Sequence, residues 1–200
     1  MRKRIPLFFV VCALMGAQVV SAATVLVFGD SLSAAYGLRS EQGWVHLLAE
    51  EQPQHRFINA SISGETTGNG LARLPALLAE HRPDVLVLEL GANDGLRGLP
   101  LQTMKENLDA MITLGKQANC RILLLGVEIP PNYGPRYTRE FAALFPALAA
   151  AHGIAVVPFF LQTIAADPVH FQPDHLHPTA QAQPAILDTV RPAILPLLAP

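Results

Sequence analysis

The sequence predicts an α/β protein, a doubly wound domain in which helices cover both faces of a parallel sheet of about five strands. Short apolar runs recur along the chain, segments with helical spacing lie between them, and the two kinds alternate without a repeat or linker. Four runs are continuous: Val25-Leu26-Val27-Phe28, Val85-Leu86-Val87-Leu88, Ile122-Leu123-Leu124-Leu125 and Ile154-Ala155-Val156-Val157. Apolar runs without alternation suit strands buried on both sides. A weaker run, Arg56-Phe57-Ile58-Asn59-Ala60, comes second in chain order.

The intervening segments carry apolar residues three and four apart. Trp44, Leu47 and Leu48 mark the first helix, and Leu71, Leu74, Leu77 and Leu78 the second. Met104, Leu108, Met111 and Ile112 mark the third, and Phe141, Leu144, Phe145 and Leu148 the fourth. Ile186, Leu187, Val190 and Ile194 mark the fifth.

The start of the chain reads as an export signal instead of as fold. Arg2, Lys3 and Arg4 precede an apolar stretch from Ile5 to Val20, and Val20-Ser21-Ala22 offers small residues for cleavage before Ala23. The stretch is short for a membrane span. We therefore expect a signal peptide over 1–22, a single domain over 23–200, and a periplasmic or secreted location without stable membrane insertion. Cleavage lowers Lys+Arg from 14 to 11 against 16 Asp+Glu, a mature charge of −5. An acidic balance argues against nucleic acid as a partner.

With 200 residues, half of them apolar and 15% charged, the chain can fill a core without metal or disulfide. Cys120 is the sole cysteine after cleavage, so no internal disulfide can form. Arg121 is expected on the opposite strand face, leaving Cys120 a buried, inert thiol. Nothing in the sequence calls for an obligate interface, and a monomer is expected.

In a doubly wound fold ligands gather at the carboxyl ends of the strands. After the first run comes Gly29-Asp30-Ser31-Leu32-Ser33, where a tight turn would present the Ser31 hydroxyl. After the second comes Gly64, whose backbone N–H can approach a ligand. After the third comes Asn93, whose side-chain amide can donate into the crevice. Near the C-terminus, Asp174 precedes His177 by three residues, and Pro178 favours an extended conformation at His177. One local turn would bring the Asp174 carboxylate to Nδ1 and leave Nε2 facing the pocket. Ser33 lies beyond the turn that presents Ser31. Glu89 ends an apolar strand with no partner evident from sequence, and His175 is expected at the surface. His46, His55, His81 and His152 show no partner pattern.

Four blocks in this order make the chain resemble the SGNH, or GDSL, hydrolases. They are Phe28-Gly29-Asp30-Ser31-Leu32-Ser33, Gly64, Gly91-Ala92-Asn93-Asp94 and Asp174-His175-Leu176-His177. Neighbouring segments, including Asn59-Ala60-Ser61-Ile62-Ser63-Gly64, resemble the periplasmic bacterial branch of multifunctional acyl-CoA thioesterase/protease/lysophospholipase enzymes and arylesterases. The resemblance implies a flavodoxin-like three-layer α/β/α sandwich and a serine esterase acting through an acyl-enzyme. It implies Ser31 as nucleophile, His177 as general base and acid, and Asp174 as its orienting carboxylate. The N–H groups of Ser31 and Gly64 and the side chain of Asn93 would form the oxyanion hole. Small acyl esters or thioesters, and lysophospholipids, would be the substrates, with no cofactor and no metal.

Leu96, Leu99 and Ile129 are expected against the acyl chain and Tyr133 beside the leaving group. The loop from Asp94 to Pro100 is expected to owe mobility to its glycines. Two rival readings compete. Asp167, His170, Asp174, His175 and His177 could serve a metal-dependent hydrolase, although no H-E-x-x-H spacing is present. A non-catalytic lipid- or carbohydrate-binding module would turn over no ester.

Overall fold

Five parallel strands form one sheet in the order β2-β1-β3-β4-β5. They are β1 (Thr24–Gly29), β2 (Arg56–Asn59), β3 (Val85–Glu89), β4 (Arg121–Leu125) and β5 (Ala155–Val157). The computed structural model describes residues 22–199, so the expected signal peptide lies outside the described residues except for Ala22. Every residue of β3 is buried, as an uninterrupted apolar run requires of a central strand. β2 lies at the sheet edge and buries its middle residues only partly, which explains its weaker sequence signal.

The helices are α1 (Trp44–Glu51), α2 (Thr67–His81), α3 (Ala92–Leu96), α4 (Leu101–Gln117), α5 (Pro135–His152) and α6 (Gln183–Leu198). α1 packs with α6, while α2, α4 and α5 pack in series. Right-handed crossovers produce this division. The chain moves from β1 outward to β2 and then reverses past β1 to β3, so α1 and the later crossover helices fall on opposite faces. Met104, Leu108, Met111 and Ile112 turn inward from α4 as their spacing predicts, and Ile186, Leu187, Val190 and Ile194 do so from α6. Leu47, Leu71, Leu77 and Leu144 pack at the margin of the core.

Two expectations are revised. Ala92–Leu96 is a one-turn helix where the sequence shows only a loop, because five residues are too few to display a helical period. Gly95 is a packing glycine, not a hinge: a Cβ there would lie 2.6 Å from the Phe141 ring and 2.8 Å from Ile129. Cys120 is buried, as expected, and its Sγ donates to the Pro83 carbonyl at 3.1 Å. Burial, with the nearby Asp84 charge, pushes its thiol up to about 11, which keeps it protonated and unreactive.

The chain reverses direction between β1 and β3, and their carboxyl ends open a crevice there. Gly29 pairs with Glu89 at the last rung, so the segments that follow leave the sheet side by side. No helix among the described residues is long and apolar enough to cross a membrane.

Candidate active site

Ser31 follows β1 by two residues at the lip of this crevice. The Asp30 carboxylate accepts the Leu32 N–H at 3.0 Å and the Ala34 N–H bonds the Asp30 carbonyl at 2.9 Å, winding the chain into a tight turn that carries Ser31. The opposing wall comes from a closed loop before α6. Gln172 N–H donates to the His177 carbonyl at 2.7 Å, and Thr179 N–H to the His170 carbonyl at 2.8 Å. Phe171 and Pro178 pair as an antiparallel bridge. The Gln172 side chain donates to the Tyr36 carbonyl at 2.8 Å, tying this loop to the segment that carries Ser31.

At the tip of the loop, Asp174 Oδ1 accepts the N–H groups of Leu176 at 2.9 Å and His177 at 3.0 Å. Its other oxygen lies 2.7 Å from His177 Nδ1. The opposite ring nitrogen, Nε2, lies 2.9 Å from Ser31 Oγ. Partial burial opposes ionisation of Asp174. The hydrogen bonds from the His177 backbone and imidazole outweigh it and bring Asp174 down to about 2. It therefore remains a carboxylate wherever an imidazole titrates. Tyr36 packs against the imidazole, its ring tilted 37° to it with the centroids 4.3 Å apart.

The oxyanion candidates come from three segments. Gly64 takes φ +81°, a conformation open to glycine, and its carbonyl accepts from Arg97 Nη2 at 3.0 Å. No acceptor among the described residues takes the backbone N–H of Ser31 or Gly64. Asn93 sits on α3, and its Nδ2 donates to Asp30 Oδ2 at 3.0 Å. α3 is fixed by its next residue: Asp94 accepts the Thr67 N–H at 2.8 Å and the Thr67 hydroxyl at 2.6 Å, docking on the start of α2.

A cavity of about 170 Å³ adjoins Ser31, Asn93 and His177, with Leu32, Leu96, Val127, Ile129 and Leu161 in its walls. Leu96 and Ile129, two of the residues expected against an acyl chain, line this cavity. Leu99 and Tyr133 lie outside this cavity. The Tyr133 hydroxyl donates to the Leu96 carbonyl at 2.8 Å, and the Leu99 carbonyl accepts from the Tyr137 hydroxyl at 3.0 Å, so Tyr133 and Tyr137 both hold the backbone of this loop.

Sequence reasoning left Glu89 without a partner; it is fully buried and its Oε2 accepts the Ser33 hydroxyl at 2.8 Å and the Asp30 N–H at 3.2 Å. Ser33, 1% exposed, is thereby occupied and hidden from solvent. Burial, reinforced by the Asp30 carboxylate, raises the Glu89 pKa well above its ordinary value. A raised folded pKa means stability present below the unfolded value and lost as pH rises toward the folded one. Glu89→Gln abolishes that titration. The variant is expected to gain on wild type by up to ~1.4 kcal/mol per pH unit through the window above the ordinary Glu range, read from urea midpoints. Parallel stability curves for the two proteins would contradict this.

The Asp/His-rich stretch does not converge on a metal site: among the described residues no three His, Cys, Asp or Glu groups cluster suitably. His175 is exposed, and His152 pairs instead with Asp109 at 2.8 Å.

Residues 27–184 match the model of the GDSL-like lipase/acylhydrolase family. Esterase TesA of Pseudomonas aeruginosa is 48% identical over 185 residues, covering 90% of this chain and 92% of that protein. The Escherichia coli K12 protein named thioesterase 1/protease 1/lysophospholipase L1 is 40% identical over 198 residues, covering 98% and 94%. A crystal structure of esterase EstA from Pseudoalteromonas sp., inhibited by monoethylphosphonate, superposes with a TM-score of 0.83 at 44% identity, covering 88% of this chain and 98% of that one. The chain is an ester hydrolase belonging to the GDSL-like lipase/acylhydrolase family.

Proposed function

We propose that the protein hydrolyses carboxylic esters and thioesters through an acyl-enzyme on Ser31, with the acyl group seated against Leu96 and Ile129. The contact that carries this reading is His177 Nε2 at 2.9 Å from Ser31 Oγ, with Asp174 holding the far side of the ring at 2.7 Å. His177 takes the hydroxyl proton as Oγ bonds to the acyl carbon. The carbonyl oxygen, now negative, is held by the Ser31 and Gly64 N–H groups and the Asn93 amide. Collapse expels the alcohol or thiol, which leaves with the proton from His177. A water then gives its proton to His177 and attacks the acyl carbon, and Ser31 leaves with that proton as the acid is released.

Asn93→Ala removes one donor that acts mainly on developing charge. We expect kcat to fall by roughly 10²–10³-fold with KM little changed. A loss confined to KM would remove Asn93 from the hole. Kinetics of purified protein on matched aryl esters and thioesters of increasing chain length test the substrate class, with Ser31→Ala as the blank. Leu96→Ala is expected to move the preference toward longer acyl groups, and Leu99→Ala to leave it in place. An unchanged profile in Leu96→Ala would contradict the acyl assignment.

Lysophospholipids fit the same chemistry, since only the acyl carbonyl need reach Ser31. The protein named thioesterase 1/protease 1/lysophospholipase L1 supports this breadth. The basic start and apolar run Ile5–Val20 support export and cleavage before Ala23, with one domain over 23–200 acting outside the cytoplasm as a monomer.

A further inference from the structure

The second residue of the Gly29-Asp30-Ser31 turn faces inward. Asp30 is fully buried, yet it bears a carboxyl group directly beside the candidate nucleophile. Its two oxygens are divided between two tasks: Oδ1 accepts the Leu32 N–H at 3.0 Å and Oδ2 accepts Asn93 Nδ2 at 3.0 Å. A primary amide has two hydrogens on nitrogen. When Asp30 takes one, the plane of the amide is set and the second hydrogen has one direction left. We propose that Asp30 is a positioning residue of the oxyanion hole, holding the Asn93 amide so that its second N–H faces the reacting carbonyl oxygen, and that Glu89 seats Asp30 from below. The inference rests on the reading of Ser31 and Asn93 given above.

Glu89 makes this arrangement workable. A second buried carboxylate beside Asp30 would repel it, and two negative charges in one apolar site are not sustained. Complete burial and the neighbouring Asp30 carboxylate favour the neutral form of Glu89, against the hydrogen bonds it accepts. Glu89 Oε2 accepts from both Ser33 and the Asp30 N–H, whereas its buried Oε1 has no partner among the described residues. Oε1 is unpartnered in either form, and burying it neutral costs less than burying it charged. Glu89 is thus the neutral member, and Asp30 is the member that accepts from Asn93. Burial raises Asp30 to about 6, with the Leu32 and Asn93 hydrogen bonds and the His177 charge opposing that rise and Asp94 adding to it. Glu89 from β3, Asp94 from α3 and His177 from the loop before α6 are the titratable groups that act on it. Of the two, Asp30 is the member that ionises more readily, because Leu32 and Asn93 donate to it.

The test is a double-mutant cycle of Asp30→Asn and Asn93→Ala on a short aryl ester, with folding checked by near-ultraviolet circular dichroism. The introduced amide keeps an oxygen for the Leu32 N–H but presents an NH2 group to Asn93. The Asn93 amide must then turn or lose its tether. We expect Asp30→Asn to lower kcat by about 10–100-fold with KM little changed, and to cost no more than about twofold in the Asn93→Ala background. The same loss in both backgrounds would show that Asp30 acts on the fold alone and overturn the proposal. Asp30→Ser, which keeps an acceptor for Leu32 but is too short for Asn93, must follow the same pattern. Should neither variant fold, NMR of the wild-type side-chain amide decides: one Asn93 hydrogen protected from exchange supports the proposal, and two freely exchanging hydrogens overturn it. Activity surviving Ser31→Ala would instead defeat the underlying reading. Loss in Ser31→Ala with an additive cycle would defeat this inference alone.

Discussion

Replacing Ser31 with Ala is expected to lower kcat on a short aryl ester by about 10⁵–10⁶-fold, leaving only the contribution of binding and the oxyanion donors. The hydroxyl is the atom that becomes acylated, so its loss removes the covalent route outright. The variant should still fold and bind ester. Ser31 is half-buried, and its hydroxyl bonds to His177 with no part in the core, so the deletion leaves no apolar cavity. Steady-state kinetics with active-site titration check this. Residual turnover within about tenfold of wild type would place the nucleophile elsewhere.

Asp174→Asn is expected to cost about 10⁴-fold in kcat, although it changes one atom. The introduced amide can keep its oxygen on the Leu176 and His177 N–H groups, so the tip of the loop retains its shape. Its NH2 group then faces Nδ1. To accept that hydrogen bond, the imidazole must carry its proton on Nε2, and Nε2 can no longer take one from Ser31. The loss should appear in kcat at every pH where wild type is active, because Asp174 stays ionised down to about 2. A variant that merely shifted its pH profile, regaining full rate at some pH, would contradict the tautomer argument.

How much of this was legible in the sequence depends on whether a feature is local or assembled. The five strands and five of the helices follow from apolar patterning. Asp174 and His177 were readable because three residues and one turn join them. Ser31 and Asn93 were readable because both follow apolar runs, where this fold collects function. The bond between Glu89 and Ser33 was not. It spans 56 residues and depends on Gly29 and Glu89 sharing a rung, which requires knowing that β1 neighbours β3. The tether from Asn93 to Asp30 spans 63 residues and depends on the same rung. Leu99 and Tyr133 do not line the cavity that Leu96 and Ile129 line, and sequence offers no sign of this, since nearness to a site residue does not fix which wall of a cleft a side chain joins. Leu96 ends α3 and lines the cavity, whereas Leu99, three residues on, is exposed.

The central claim, a covalent intermediate on Ser31, is tested most directly by treating the protein with a serine-directed organophosphate and locating the adduct by mass spectrometry. One adduct per chain is expected, on the peptide containing Ser31, formed in step with loss of esterase activity and unaffected by a metal chelator. An adduct on Ser33 or elsewhere, or full turnover with Ser31 blocked, would contradict it.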